Sequence, residues 1–253
     1  MEVLLFATLR VKLLFDFTSW WWINPDPGVF RNPHMNFLSV KAVPTVSWSS
    51  RGPLNFRPEA KTVFLLCLGL IIFGIGEALL IAAGAGVSPW VVFAEGISLV
   101  TGLYIGWANF LVSIGVLLLW IPLRQTPGLG TILNAILVSA AIGLFLPFLP
   151  APDLLLPQLI QSAVGVLLVG MGSGFYLIAN LGPGPRDGLM TGLQRLTQLP
   201  IAWVRTSLEV MVVILGWLLG GTVGIGTLMF AFGIGPALAV GLYSVSRLSK
   251  QKG

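Results

Sequence analysis

The chain has 253 residues, 56% of them hydrophobic and 9% charged, with a mean hydropathy of +0.93. A soluble domain carries about 25% charged residues, so the composition excludes a water-soluble globular protein and points to an integral membrane protein whose first partner is the lipid bilayer. The formal net charge of +5 gathers at the two ends rather than on a face. Nucleic-acid binding, which needs a basic folded surface, has no support.

Residues 1–60 differ from the rest. Met1 to Trp22 is apolar but interrupted by Arg10, Lys12 and Asp16, too broken to span a bilayer, and it lacks the compact apolar core and small-residue cleavage site of a secretory signal. The Ser19-Trp20-Trp21-Trp22 cluster suits a headgroup boundary, where tryptophan is favoured. Residues 24–59 are rich in Pro, Asn and Ser, so an extension that is loop-rich and partly disordered is expected, with Met35 as an alternative start. His34 is the only histidine and has no partner at ligand spacing, so neither a metal site nor a cofactor is expected. Cys67 is the only cysteine, which rules out an intramolecular disulfide.

From Lys61 onward, apolar segments alternate with Gly, Pro or charge. Six spans are predicted near 62–83, 103–123, 129–149, 158–179, 199–219 and 224–245, each about 20 residues and long enough for a hydrocarbon core of about 30 Å. Two shorter, less apolar pieces at 88–101 and 185–198 read as re-entrant or interfacial helices. Arg51, Arg57, Lys61, Arg124, Arg186, Arg195 and the tail's Arg247, Lys250 and Lys252 all fall on one side under this assignment. The positive-inside rule makes that side, and both termini, cytoplasmic.

The chain also matches itself without a gap at an offset of 96 residues, the separation of Pro89 from Pro185. In that register Gly86 falls on Gly182, Gly96 on Gly192, Thr101 on Thr197 and Trp107 on Trp203, and Gly128-Leu-Gly-Thr131 falls on Gly224-Ile-Gly-Thr227. Two membrane repeats follow, 61–150 and 158–246, with a basic tail at 247–253. Three spans per unit force the two copies to face opposite ways. Inverted repeats with broken helices build many secondary transporters, although duplication can also serve only to make a stable bundle.

The sharpest break is Gly182-Pro-Gly-Pro-Arg-Asp-Gly188. Its prolines remove backbone donors and its glycines open conformations closed to other residues, so one helix ends there and Pro185 starts the next. Gly182, Gly184, Pro185 and Gly188, with Gly86 and Pro89 in the first copy, are the predicted hinge residues. Arg186 at such a helix start either captures an anion, with Asp187 orienting it, or is a membrane-edge arginine beside a capping aspartate. Arg205 and Glu209 stack one helical turn apart. They either neutralise each other or face Arg186 in a buried charge network, their neutral repeat mates being Asn109 and Ser113. Glu77, deep in the first span with no local basic partner, is either a proton-coupling carboxylate or a hydrogen-bonded structural residue. Gly170/Gly174 and Gly216/Gly220 have the spacing of close helix contacts and offer homodimer faces. No Walker lysine loop, HExxH or Cys–His pair is present, so no catalytic residues are assigned and an enzyme is not expected.

Gly182 to Gly188, Thr191-Gly-Leu193, Gly221-Thr-Val-Gly-Ile-Gly-Thr227, Pro127-Gly-Leu-Gly-Thr-Ile-Leu-Asn134 and Trp217-Leu-Leu-Gly-Gly-Thr222 resemble the YczE (YczE/YyaS/YitT-like) family of bacterial integral membrane proteins. The resemblance covers roughly residues 62–246 and implies a multi-span protein of the bacterial cytoplasmic membrane. First copies in such proteins tend to read Gly-Pro-Trp-Asp where this chain has Ser88-Pro89-Trp90-Val91, and Glu95 one turn later is the nearby carboxylate that would take over.

The expected fold is therefore all-α: a polytopic helical membrane protein with six transmembrane helices in two inverted three-helix repeats, each holding a short broken or re-entrant helix. The expected function is binding or movement of a small anionic solute, with Arg186 and Arg205 holding the charge and Asp187, Glu209, Glu77 and Glu95 tuning or coupling. The alternative is a membrane scaffold or regulator of a partner assembly.

Overall fold

The computed structural model describes residues 43–250, which hold eight α-helices and one 3-10 turn, with no strand among the described residues. In chain order they are α1 (Ala60–Ala83), α2 (Pro89–Thr101), α3 (Ile105–Trp120), α4 (Leu129–Phe145), the 3-10 turn Leu146–Phe148, α5 (Leu155–Ala179), α6 (Pro185–Thr197), α7 (Ile201–Leu218) and α8 (Ile225–Lys250). The expectations for Ser19–Trp22, His34 and Lys252 lie outside the described residues.

Glycine and proline set the boundaries as their backbone chemistry requires. Proline occupies the first turn of α2 and of α6, where its missing N–H costs nothing. α1 ends on Gly84 at φ 67° and α2 on Gly102 at φ 72°, left-handed caps that glycine adopts without strain. Helix starts recur at the sequence offset: Pro89 and Pro185, Ile105 and Ile201, Leu129 and Ile225. Gly86 and Gly182 share φ 111°.

Among the described residues α1, α4 with its 3-10 turn, α5, α7 and α8 are the five helices long and apolar enough to cross a membrane, and α2 and α3, bent by 117° at their junction, make a sixth if the pair is counted as one broken span. The span expected at 103–123 is shorter than predicted. α3 has 16 residues, about 24 Å at the α-helical rise. Pro122 stops it, and a turn closes on Arg124 at φ 52°.

α1 and α5 pack along their length, with α4 against α1 and α8 against α5. Their crossing is backbone on backbone: a Cβ on Gly172 would sit 2.5 Å from Gly69 O, and one on Gly76 would sit 2.7 Å from Gly165 O. Partners run down α5 as they run up α1, so the two helices are antiparallel. The face of Gly170 and Gly174 is filled inside the chain by Ala237 and Gly241 of α8, and Gly216 lies on the Val92–Phe93 backbone of α2. These small-residue faces therefore serve intramolecular packing.

Part of the segment expected to be loop is folded against the bundle. Trp48 is 2% exposed. Its Nε1 donates to Ser249 Oγ (2.7 Å), and its carbonyl accepts from Thr62 Oγ1. Ser50 N donates to Ala179 O and Asn180 Nδ2 donates to Ser50 O, both at 3.0 Å. The segment thereby ties the start of α1 to the ends of α5 and α8. Its signal in the sequence is one aromatic residue among polar ones, which periodicity cannot register.

Candidate functional site

Two corners of matching backbone hold the starts of the short helices. Before α6, Leu181 O accepts from Gly130 N at the head of α4 (2.7 Å), and Pro183 O accepts from Thr131 Oγ1 (2.7 Å). Before α2, Ala85 O accepts from Gly226 N at the head of α8 (2.7 Å). A Cβ on Gly128 would fall 2.4 Å from Leu181 O, and one on Gly224 would fall 2.4 Å from Ala85 O, so these contacts admit only glycine. α6 is held further by Trp120 of α3, whose Nε1 donates to Pro185 O (2.9 Å) while its ring covers Gly188.

Arg186, the second residue of α6, reaches from this corner to the other. Its guanidinium lies 5.5 Å from the ring centroid of Trp90, the second residue of α2 and its mate at the sequence offset. Nη2 donates to Asn109 Oδ1 of α3 (2.9 Å), and Asn109 Nδ2 donates to Ser139 Oγ of α4 (2.8 Å). Among the described residues Arg186 makes no other hydrogen bond and no ion pair within 4.0 Å. A guanidinium carries five N–H donors, so most of its capacity is unused. Trp90 is 6% exposed, and its buried indole Nε1 has no hydrogen-bond partner among the described residues. Neither α2 nor α6 has a side-chain cap, which leaves first-turn N–H groups for other acceptors.

Two carboxylates face this donor set. Glu77 of α1 is fully buried, with Ser88 Oγ 2.8 and 3.0 Å from its two oxygens. It interacts electrostatically with Arg186, so its basic partner is remote in sequence rather than local. Asp187 accepts a hydrogen bond from the Tyr176 hydroxyl and also lies in the field of Arg186. Gly184 packs beside the Asp187 carboxylate and the Asn134 side chain.

Other predicted residues stand apart. Arg205 Nε pairs with Glu209 Oε1 at 2.8 Å, with the two side chains 27% and 28% exposed. Neither belongs to the groups around Arg186, so of the two alternatives the structure has the self-neutralising pair and not the network with Arg186. Glu95 does not replace the missing carboxylate of position 91. It accepts from Thr222 N (2.7 Å) and Thr222 Oγ1 (3.1 Å), closing the loop between α7 and α8. Residues absent from the sequence reading as site members are Trp90, Asn109, Ser88, Tyr176 and Trp120. For Trp90 a signal existed: it occupies the position of Arg186 in the first copy.

The arrangement gathers donors around one guanidinium inside a helical bundle, with a carboxylate as internal counter-charge. Residues 60–242 match the model of a family described as "Family of unknown function (DUF6198)". The chain is 41% identical over 209 residues to an uncharacterized protein of Haemophilus influenzae, covering 83% of this chain and 95% of that one. It is 35% identical over 165 residues to the uncharacterized membrane protein YczE of Bacillus subtilis, covering 64% and 77%. It is 30% identical over 166 residues to the uncharacterized protein YyaS of the same organism, covering 64% and 83%. No solved structure matches the chain.

Proposed function

This chain belongs to the DUF6198 family with YczE and YyaS, and from that premise we propose that it binds a small anionic solute at Arg186 and carries it across the bacterial cytoplasmic membrane. One observation carries the reading: a guanidinium with a single hydrogen bond and no close ion pair lies over a buried indole whose N–H is also unpartnered. Intramembrane cations are costly and mark solute pathways. Orphan helix-start N–H groups and unpaired donors favour negative charge.

The same reading takes the two halves as inverted repeats. It is supported by the antiparallel crossing of α1 with α5 and by helix starts that recur at a constant offset. The solute would sit where the second residue of α2 meets the second residue of α6, at the repeat interface, as broken-helix transporters arrange their sites. Both termini would be cytoplasmic.

Uptake into proteoliposomes tests the function. Arg186→Ala should abolish the flux of a small anion that wild type moves, and Arg186→Lys should retain part of it. Equal flux in all three proteins, or in empty liposomes, would overturn the reading and favour a scaffold. Orientation is tested separately at the exposed, repeat-matched positions Leu103 and Leu199. Single cysteines there, in a Cys67→Ala background, should be labelled by an impermeant reagent from opposite sides.

A further inference from the structure

Resting on the anion-handling reading above, we infer that Glu77 is the fixed counter-charge of Arg186 that a solute anion replaces, so that each monovalent anion entering the site brings one proton with it.

Glu77 is enclosed completely, and its hydrogen-bonding neighbour is the Ser88 hydroxyl, which lies within reach of both carboxylate oxygens. A hydroxyl has one proton to give, so a single serine satisfies only one oxygen of a charged carboxylate. The charged and titratable groups facing Glu77 can be counted element by element. α6 supplies Arg186 and, adjacent to it, Asp187. α5 supplies Tyr176, whose hydroxyl is engaged by Asp187. α4 and the 3-10 turn, which also pack on α1, contain no ionisable residue. From the α2 side come Ser88 and the neutral Trp90. Ser88, bonded to Glu77, stands two residues before Trp90, over whose ring the Arg186 guanidinium lies, so Arg186 is the cation that Glu77 depends on.

A solute anion that takes the spare donors of Arg186 neutralises that counter-charge. A carboxylate left in a closed apolar site without a cation is neutralised by protonation rather than kept as an ion. The step balances. The anion adds one negative charge, an O–H bond forms on Glu77 with a proton from the aqueous face the anion entered, and the cluster's charge is unchanged. When the anion leaves, that O–H bond breaks, the proton departs on the same side as the anion, and Glu77 is again the charged counterpart of Arg186. Asp187 does not play this part because the Tyr176 hydroxyl continues to donate to it. The guanidinium fork suits planar oxyanions such as carboxylates and nitrate.

The test uses the full chain in liposomes loaded with a pH-sensitive dye, with nitrate as the probe because it does not cross lipid as a neutral acid. An inward nitrate gradient is expected to acidify the lumen with one proton per nitrate, at a rate unaffected by a potassium–valinomycin voltage. Glu77→Gln is expected to move nitrate without acidification, at a rate that no longer varies with pH and now responds to voltage. Wild-type nitrate flux without acidification, or acidification by Glu77→Gln equal to wild type, overturns the inference and leaves the anion reading standing. Absence of Arg186-dependent flux for nitrate, chloride and formate alike overturns that reading and the inference with it. Should Glu77→Gln not fold, Ser88→Ala keeps the carboxylate and removes its hydrogen bond. Its flux–pH profile is then expected to shift, and a profile superimposable on wild type overturns the inference.

Discussion

The starts of α2 and α6 share a backbone and differ in chemistry. Each follows a glycine at φ 111°, begins on proline, and is held by the glycine-rich head of a long helix. Yet the first copy places Ser88, Trp90 and Val91 where the second has Gly184, Arg186 and Asp187. Volume is exchanged as well. The Trp120 ring covers Gly188 under α6, whereas under α2 the matching contact sets Gly216 against Val92. Large meets small in both places, with the roles reversed between copies. A duplicated scaffold can therefore diverge in chemistry as long as each close contact keeps a glycine on one of its two sides.

The most disruptive way to break that comparison is at Gly188, where a Cβ would lie 1.9 Å from the Trp120 ring. Gly188→Leu is expected to abolish folding, read as loss of a monodisperse peak on size exclusion in detergent. Gly188→Val combined with Trp120→Gly copies the arrangement under α2 and is expected to recover most of the folded yield. Failure of the double variant would show that the α6 start needs the Trp120 bond to Pro185 O as well as its volume.

A smaller effect is expected at Trp48, whose segment closes only the end of the bundle where the loop before α6 meets α4. Trp48→Ala should cost about 3–5 kcal/mol, the usual range for emptying a buried tryptophan site, measured by denaturant unfolding. A loss below about 1 kcal/mol would mean that the segment rests on the bundle without supporting it.

The smallest effect is expected at the charged pair of α7. Arg205→Met with Glu209→Met removes both partners together, leaves no lone charge, and should change stability by no more than about 1 kcal/mol. A substantially larger loss would place the pair in the same buried network as Arg186, contrary to its geometry.

Much of the fold was legible because it rests on local chemistry. Gly84, Pro89, Gly102, Pro185 and the apolar runs between them mark where helices begin and end whatever surrounds them. The site was legible only in part. Arg186, Asp187 and Glu77 stood out as ions in an apolar chain, while Asn109, drawn from the sequence only as the neutral mate of Arg205, turned out to hold Arg186. Arg205 and Glu95 looked equally exceptional, and both are engaged elsewhere. Unusual residue types announce themselves, but their partners do not.

By itself the sequence determined the membrane class, the helix breaks and the repeat, since these follow from hydropathy, from the backbone freedom of glycine and proline, and from self-similarity along one dimension. Only the tertiary structure decided that Arg186 meets Trp90 and Asn109, that Glu77 has Ser88 and Arg186 as neighbours, and that the small-residue faces of α5 are filled by α8. The physical reason is that such pairings depend on how helices distant in the chain cross, and contact at a crossing is set by the shapes of both surfaces together.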